Sequence, residues 1–191
     1  MEEKNFEEMR NQFAILKNEL KQQEIVNDRL LRDTMKSKNR DIDSTKRMMY
    51  GCAGICLVAF PLNYYMHTWS LPFTIATLLM ILCCTIATYY IHKPVDELNY
   101  MRDDFATVAR VMAKFKKQYN DWLHYVAPVI IVPWIAWACY DLAGNKMMEG
   151  IDPIWMCLYV FFGAAIGAVI GYHYHCKAVN AAQDILDQIE E

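Results

Sequence analysis

Four stretches of this chain contain no Asp, Glu, Lys or Arg: Met48–Met66, Leu71–Ile91, Leu123–Tyr140 and Ile154–Tyr172. Intramembrane ionisable residues are the usual mark of proton relays, pumps and ion pathways, so their absence argues against an ion-coupled transporter. Glycine and proline are missing from residues 1–36 and from everything between Val95 and Ala127. Both regions therefore read as uninterrupted helix. The chain also lacks a phosphate-cradling glycine loop, a serine-nucleophile motif and a pair of aspartates inside an apolar block. Each is a signature of enzymatic chemistry, so no enzyme is expected and no cofactor is implied. The formal net charge of −3 carries no strong nucleic-acid signal.

The chain is apolar in blocks. Overall, 55% of the residues are hydrophobic and 21% charged, averages that would suit a soluble domain. A soluble core, however, would spread its apolar residues at helical or strand spacing. Each uncharged block comes close to the ~20 residues needed to cross a ~30 Å hydrocarbon layer, and helices alone satisfy their backbone there without a barrel. The expected fold is all-α and integral to a membrane, with four transmembrane helices as two hairpins. The expected organisation is a charged cytoplasmic helix over 1–47, a transmembrane hairpin over 48–92, an amphipathic cytoplasmic helix over 93–122, a second hairpin over 123–175 and an acidic tail helix over 176–191. Because the first 47 residues are so charged, no cleavable signal peptide is expected.

Lysine and arginine set the orientation. Residues 1–47 carry eleven and the middle loop carries six, whereas the His67–Ser70 turn carries none and Asp141–Pro153 only Lys146. The positive-inside rule then places both termini and the middle loop in the cytoplasm. All seven cysteines lie in or beside the apolar blocks. They read as small apolar packing residues, with no disulfide framework expected.

Several residues invite a role. Gly163, Gly167 and Gly171 form a ridge that lets a second helix approach closely; contact with another span of this chain is the expectation, ahead of a homo-oligomer. Thr74, Thr77, Thr85 and Thr88 share one helical face, with Asn63 as the expected cross-helix partner. This reads as a polar packing seam before it reads as a substrate path. Pro61, Pro128 and Pro133 should each kink or open a span. His92, His124, His173, His175 and Cys176 gather at the cytoplasmic edge. Of these, His173, His175 and Cys176 are the candidate ligands for zinc or copper, although residues two apart on a helix diverge.

Outside the membrane, Phe6, Met9, Phe13, Leu16, Leu20, Gln23, Asn27, Leu30 and Thr34 repeat at alternating three- and four-residue steps, a heptad seam. A parallel self-dimer would set Glu19 against Glu24, a like-charge pair. A cytosolic protein partner bound through Phe6, Phe13, Leu16, Leu20 and Leu30 is therefore as natural as self-association. Leu98, Met101, Phe105, Val108, Met112, Phe115, Tyr119 and Trp122 follow the same alternation. A continuous middle helix creates a geometric difficulty: about 28 helical residues run ~40 Å, yet Lys93–Glu97 can bridge at most roughly 18 Å. The helix must tilt along the membrane, break near Asp103–Asp104, or belong to a swapped dimer. A tilted helix packed on the N-terminal one is the favoured expectation.

The runs Asn5-Phe6-Glu7-Glu8-Met9-Arg10, Asn27-Asp28-Arg29-Leu30-Leu31-Arg32 and Met35-Lys36-Ser37-Lys38 resemble uncharacterised four-span inner-membrane proteins of Bacteroides-type bacteria. The resemblance implies a bacterial inner (cytoplasmic) membrane location and, through an association with extracytoplasmic-function sigma factors, a regulatory role. It carries over no functional residue. The leading functional expectation is a non-enzymatic, membrane-anchored regulatory or scaffold protein. Its alternatives are a small oligomeric transporter or channel and a membrane metal or redox protein.

Overall fold

A computed structural model describes residues 2–144 and 152–190, with side chains from Ile15 onward except Pro153. Among the described residues the chain is helical throughout, without strands. The helices are α1 (Glu2–Tyr65), α2 (Leu71–Asp96), α3 (Phe105–Asp121), α4 (Ala127–Ala143) and α5 (Pro153–Glu190). A π turn, Trp122–Val126, joins α3 to α4 without a break. Four helices are long and apolar enough to cross a membrane, the π-linked α3–α4 rod counting as one. Their apolar stretches are scarcely buried within the chain: Val58, Val129 and Phe162 are each 70% exposed or more, a surface that suits lipid and not water.

The expected charged helices are extensions of the apolar ones. With 64 residues, α1 is one rod from the N-terminal region through the first apolar block, about 96 Å at 1.5 Å per residue. The acidic tail likewise continues α5 without a break. Pro61 and Pro133 sit inside their helices. The π turn ends at Val126, two residues before Pro128. A proline ring would meet the carbonyl four residues earlier, that of His124, and the wider π turn relieves that collision.

The middle region breaks, which overturns the favoured continuous helix and agrees with the alternative of a break near Asp103–Asp104. Helix α2 runs on through Pro94 to Asp96, residues 97–104 form turns, and α3 begins at Phe105. Asp104 adopts extended backbone and its carboxylate accepts from the Thr107 amide at 3.2 Å, an N-cap that starts the helix there. The geometric difficulty disappears: α3 has 17 residues, roughly 26 Å, and the eight-residue link can itself span about 28 Å when extended. Leu98 and Met101 keep the apolar alternation but lie in this link.

Two cores form, one at each end. The first lies at the end holding both termini. It joins Met35 and Ile42 of α1, Val95 of α2, Tyr100, then Val108, Met112, Phe115 and Tyr119 of α3, with Ala178, Ala181, Ala182 and Ile185 of α5. Here α1 and α3 each pack on both α2 and α5. The alanines of α5 let the larger α1 and α3 side chains close in. Ion pairs rim this core: Lys38–Asp184 at 2.7 Å and Lys177–Asp41 at 3.1 Å link α1 to α5, and Lys46 reaches Asp96 on α2. Such exposed pairs add little stability but agree with the packing.

The second core lies at the turn end and joins Phe73, Ala138, Leu142, Met156 and Val160, flanked by Phe60, Trp69, Trp134, Ile135 and Cys139. Trp69 stacks on Phe73 at 4.7 Å between ring centroids. The turn between α1 and α2, with His67 at φ 60°, is gripped by α4. Asp141 accepts from the Ser70 amide at 2.8 Å and from the Ser70 hydroxyl, while the Ser70 hydroxyl accepts from the Phe73 amide.

Candidate functional site

The largest unclaimed surface is the first part of α1. Packing onto the terminal-end core begins at Leu31 and Met35, so that among the described side chains those of 15–30 lie outside it, about 24 Å of helix. Leu16, Leu20 and Leu30 are 52%, 58% and 64% exposed, and Ile15, Ile25 and Val26 are exposed as well. The side chains of Phe6 and Phe13 lie outside the described residues.

The seam changes phase where the core starts. Upstream it runs through Leu16, Leu20, Gln23, Asn27, Leu30 and Thr34, but the buried positions downstream are Met35, Ile42 and Thr45, with Leu31 and Met49 packed against the core. The register has slipped by one residue, about 100° around the helix. Thr34 returns its hydroxyl to the Leu30 carbonyl at 2.8 Å. The face that carries the upstream stripe is therefore not the one the chain uses for its own packing.

Arg32 lies at this transition, and no pattern in the sequence marks it for a role. Its Nη1 donates to the Tyr100 carbonyl at 2.8 Å and the Asp103 carbonyl at 3.0 Å, its Nε donates to Asp28 at 3.1 Å, and its guanidinium lies 4.6 Å from the Phe105 ring centroid. One side chain thus ties the base of the projecting helix to the link before α3.

The membrane-edge histidines divide. His92 is fully buried, and its Nδ1 lies 2.9 Å from the Thr88 carbonyl. A carbonyl only accepts, so in the neutral ring Nδ1 carries the proton and Nε2 is left to accept from the Tyr119 hydroxyl, 3.5 Å away. The same hydroxyl lies 3.5 Å from Met49 Sδ. His175 is buried and stacks on Tyr119 at 5.5 Å, whereas His173 is exposed and meets the edge of Tyr174. The candidate ligands His173, His175 and Cys176 are thus not brought together, and no three His, Cys, Asp or Glu side chains converge on a metal-sized site among the described residues. Burial pushes the Tyr119 phenol well above its ordinary range. Tyr100 is pushed the same way by burial, then by the Asp43 and Asp96 carboxylates. Burial of Lys46 opposes its charge, but bonds to Asp96 and Asp43 outweigh this and hold the ammonium above its usual pKa.

The threonine face is occupied by structural bonds. Thr74, Thr85 and Thr88 donate to the Ser70, Ile81 and Cys84 carbonyls of their own helix, and Thr77 accepts from Trp134 Nε1 of α4 at 3.0 Å. Asn63, expected to bond across helices, donates to Ala59 of its own at 2.8 Å.

The glycine ridge also departs from expectation. A Cβ at Gly163, Gly167 or Gly171 would meet nothing within 4 Å, so no other span of this chain fills the ridge. Gly167→Ala is therefore expected to be neutral or to stabilise by up to ~1 kcal/mol through helix propensity, as read by thermal unfolding in mild detergent. A loss above ~1 kcal/mol would reveal a helix packed into the ridge.

No family model, curated protein or solved structure matches the chain.

Proposed function

We propose that this is a non-enzymatic, membrane-anchored regulatory or scaffold protein that presents its N-terminal helix to a cytosolic partner. In this reading the four apolar helices cross the membrane as two hairpins, with both termini and the α2–α3 link in the cytoplasm. The carrying observation is the stripe of Leu16, Leu20 and Leu30, exposed on a lone helix in a heptad register that the chain's own core does not use. The positive-inside bias of residues 1–47 and 93–122 supports the orientation.

The partner that suits this surface is an amphipathic helix of a cytosolic protein. The Glu19–Glu24 repulsion disfavours a parallel second copy, whereas a partner helix with Lys or Arg beside its apolar face would answer those carboxylates.

Replacing Leu16 and Leu20 together by Asp is expected to abolish recovery of the partner in a crosslinked pull-down from membranes. Membrane insertion and thermal stability should be unchanged, because both side chains lie outside the core. Undiminished recovery with the double variant would refute the docking surface. Crosslinking of the chain to itself alone would replace the cytosolic partner by a second copy.

A further inference from the structure

We propose that the π turn, Trp122–Val126, is a phase-setting joint: a one-residue insertion that lets the rod formed by α3 and α4 bury the same side in both cores. At about 100° per residue, eighteen residues make five turns of α-helix and return to the same face. The other three helices keep that count between the cores without interruption. Ile42 and Phe60 of α1, Thr77 and Val95 of α2, and Val160 and Ala178 of α5 are each eighteen positions apart. In each pair one residue belongs to the terminal-end core and the other lies in or against the turn-end core.

The α3–α4 rod breaks the count. Tyr119 of the terminal-end core and Ala138 of the turn-end core are nineteen positions apart, and Met112 and Leu142 are thirty. On an unbroken α-helix these pairs would point about 100° and 120° apart. Yet α3 and α4 both pack on α2 and α5, so the rod has to turn one side to both ends. The π turn removes the mismatch. The Ala127 amide donates to the Trp122 carbonyl, five residues back instead of four, and the extra residue takes up roughly 100° of rotation.

Packing and proline do not account for the turn on their own. None of its five side chains is buried. Pro61, Pro94 and Pro133 are each accommodated inside α-helix, so Pro128 favours a widened turn without requiring one. His124 steadies it, its Nδ1 donating to the Asn120 carbonyl at 2.8 Å. The alternative register is poor. With α4 in place, resolving the turn into α-helix would rotate α3 by about 100°. Val108, Met112, Phe115 and Tyr119 would then give way to their successors, Ala109, Ala113, Lys116 and Asn120. Two alanines, an ammonium and an amide cannot fill an apolar core. The joint therefore fixes the orientation of α3, and with it the core from which α1 projects. This holds whichever side of the membrane the termini face.

The full-length protein in mild detergent tests the count directly. Leu123 is deleted or, separately, Tyr125, each together with Pro128→Ala. Either deletion is expected to convert the turn to α-helix and leave both cores closed. The unfolding temperature should stay within about 5 °C of wild type, and the Phe115 and Tyr119 amides should keep their protection from hydrogen exchange. Which residue is removed should not matter, because the joint supplies a residue count and not a side chain. Deleting Ala168, an exposed residue of α5, a helix with no insertion, should instead lower the unfolding temperature by roughly 10 °C or more. Exchange at Phe115 and Tyr119 should then accelerate at least ~100-fold. If both turn deletions lose as much as the Ala168 deletion, the turn is needed for its own shape and the proposal is wrong. If the Ala168 deletion is as mild as they are, helix phase does not hold the cores together and the proposal is equally wrong.

Discussion

Phe115→Ala is expected to destabilise the terminal-end bundle by about 3–5 kcal/mol, the range for removing a buried phenylalanine side chain. Phe115 is 2% exposed, and its ring lies 4.7 Å from that of Tyr119 and 5.3 Å from that of His92. Neither neighbour can collapse into the space. His92 is held to the Thr88 carbonyl and Tyr119 is stacked on His175, so most of the vacated volume would remain as cavity. The lost aromatic contacts add about 0.5–1.5 kcal/mol beyond the area term. Leu16→Ala is the internal control: its side chain is 52% exposed, and the expected change is within ~0.5 kcal/mol. Denaturant unfolding of both variants in mild detergent checks the contrast. Equal and small losses would mean that α3 does not pack onto the other helices as described.

That contrast marks where sequence pattern stops being informative. Phe115 and Leu16 both sit in heptad-like seams, and alternation alone cannot distinguish a stripe that finds a partner within the chain from one that does not. The long apolar helices were legible because exclusion of charge from twenty-residue blocks has one physical cause. The end of the middle helix was less legible. Leu98 and Met101 continue the apolar phase through a region where the chain is not helical, so periodicity predicted a helix there. The countervailing signal was Asp104 three residues before Thr107, an N-cap placed just ahead of an apolar run, and it outweighed the alternation. In α1 the signal was Leu31 beside Leu30. Two adjacent leucines give two candidate registers, and only the positions of α2 and α5, on which α1 packs, select the second.

Sites made by side chains from different helices were the least legible. Thr77 and Trp134 are 57 residues apart, and neither names its partner in the sequence. The bond between them depends on how α2 and α4 pack at the turn end. The histidine cluster shows the reverse. His173, His175 and Cys176 are neighbours in sequence, yet the helix turns His173 outward and His175 onto Tyr119. Proximity along a helix does not make a ligand set, because residues two apart diverge around it.

Arg32→Ala is expected to release the link between α2 and α3. Three observations set its size: two carbonyl acceptors at 2.8 and 3.0 Å, an Asp28 carboxylate at 3.1 Å, and the Phe105 ring at 4.6 Å from the guanidinium. A hydrogen bond from a charged donor contributes about 1.5–3 kcal/mol. The side chain is 17% exposed and water can take over part of the role, so the expected loss is ~2–4 kcal/mol. Arg32→Lys should recover at most half, because an ammonium is a point charge that cannot reproduce the planar fork or lie flat on Phe105. The Arg102 and Asp103 amides, both bonded to the Asn99 carbonyl at 2.9 Å, report the opening. Their hydrogen exchange should accelerate by roughly two orders of magnitude, at about 1.4 kcal/mol per tenfold. Unchanged exchange in Arg32→Ala would show that the link is held by its own turns. Leu30, the last exposed leucine of the projecting stripe, lies two residues from this clamp on the same rigid helix. A partner that bends or rotates α1 there would therefore act on the α2–α3 link through Arg32, and Arg32→Ala should uncouple the two ends while leaving Leu16 and Leu20 free to bind.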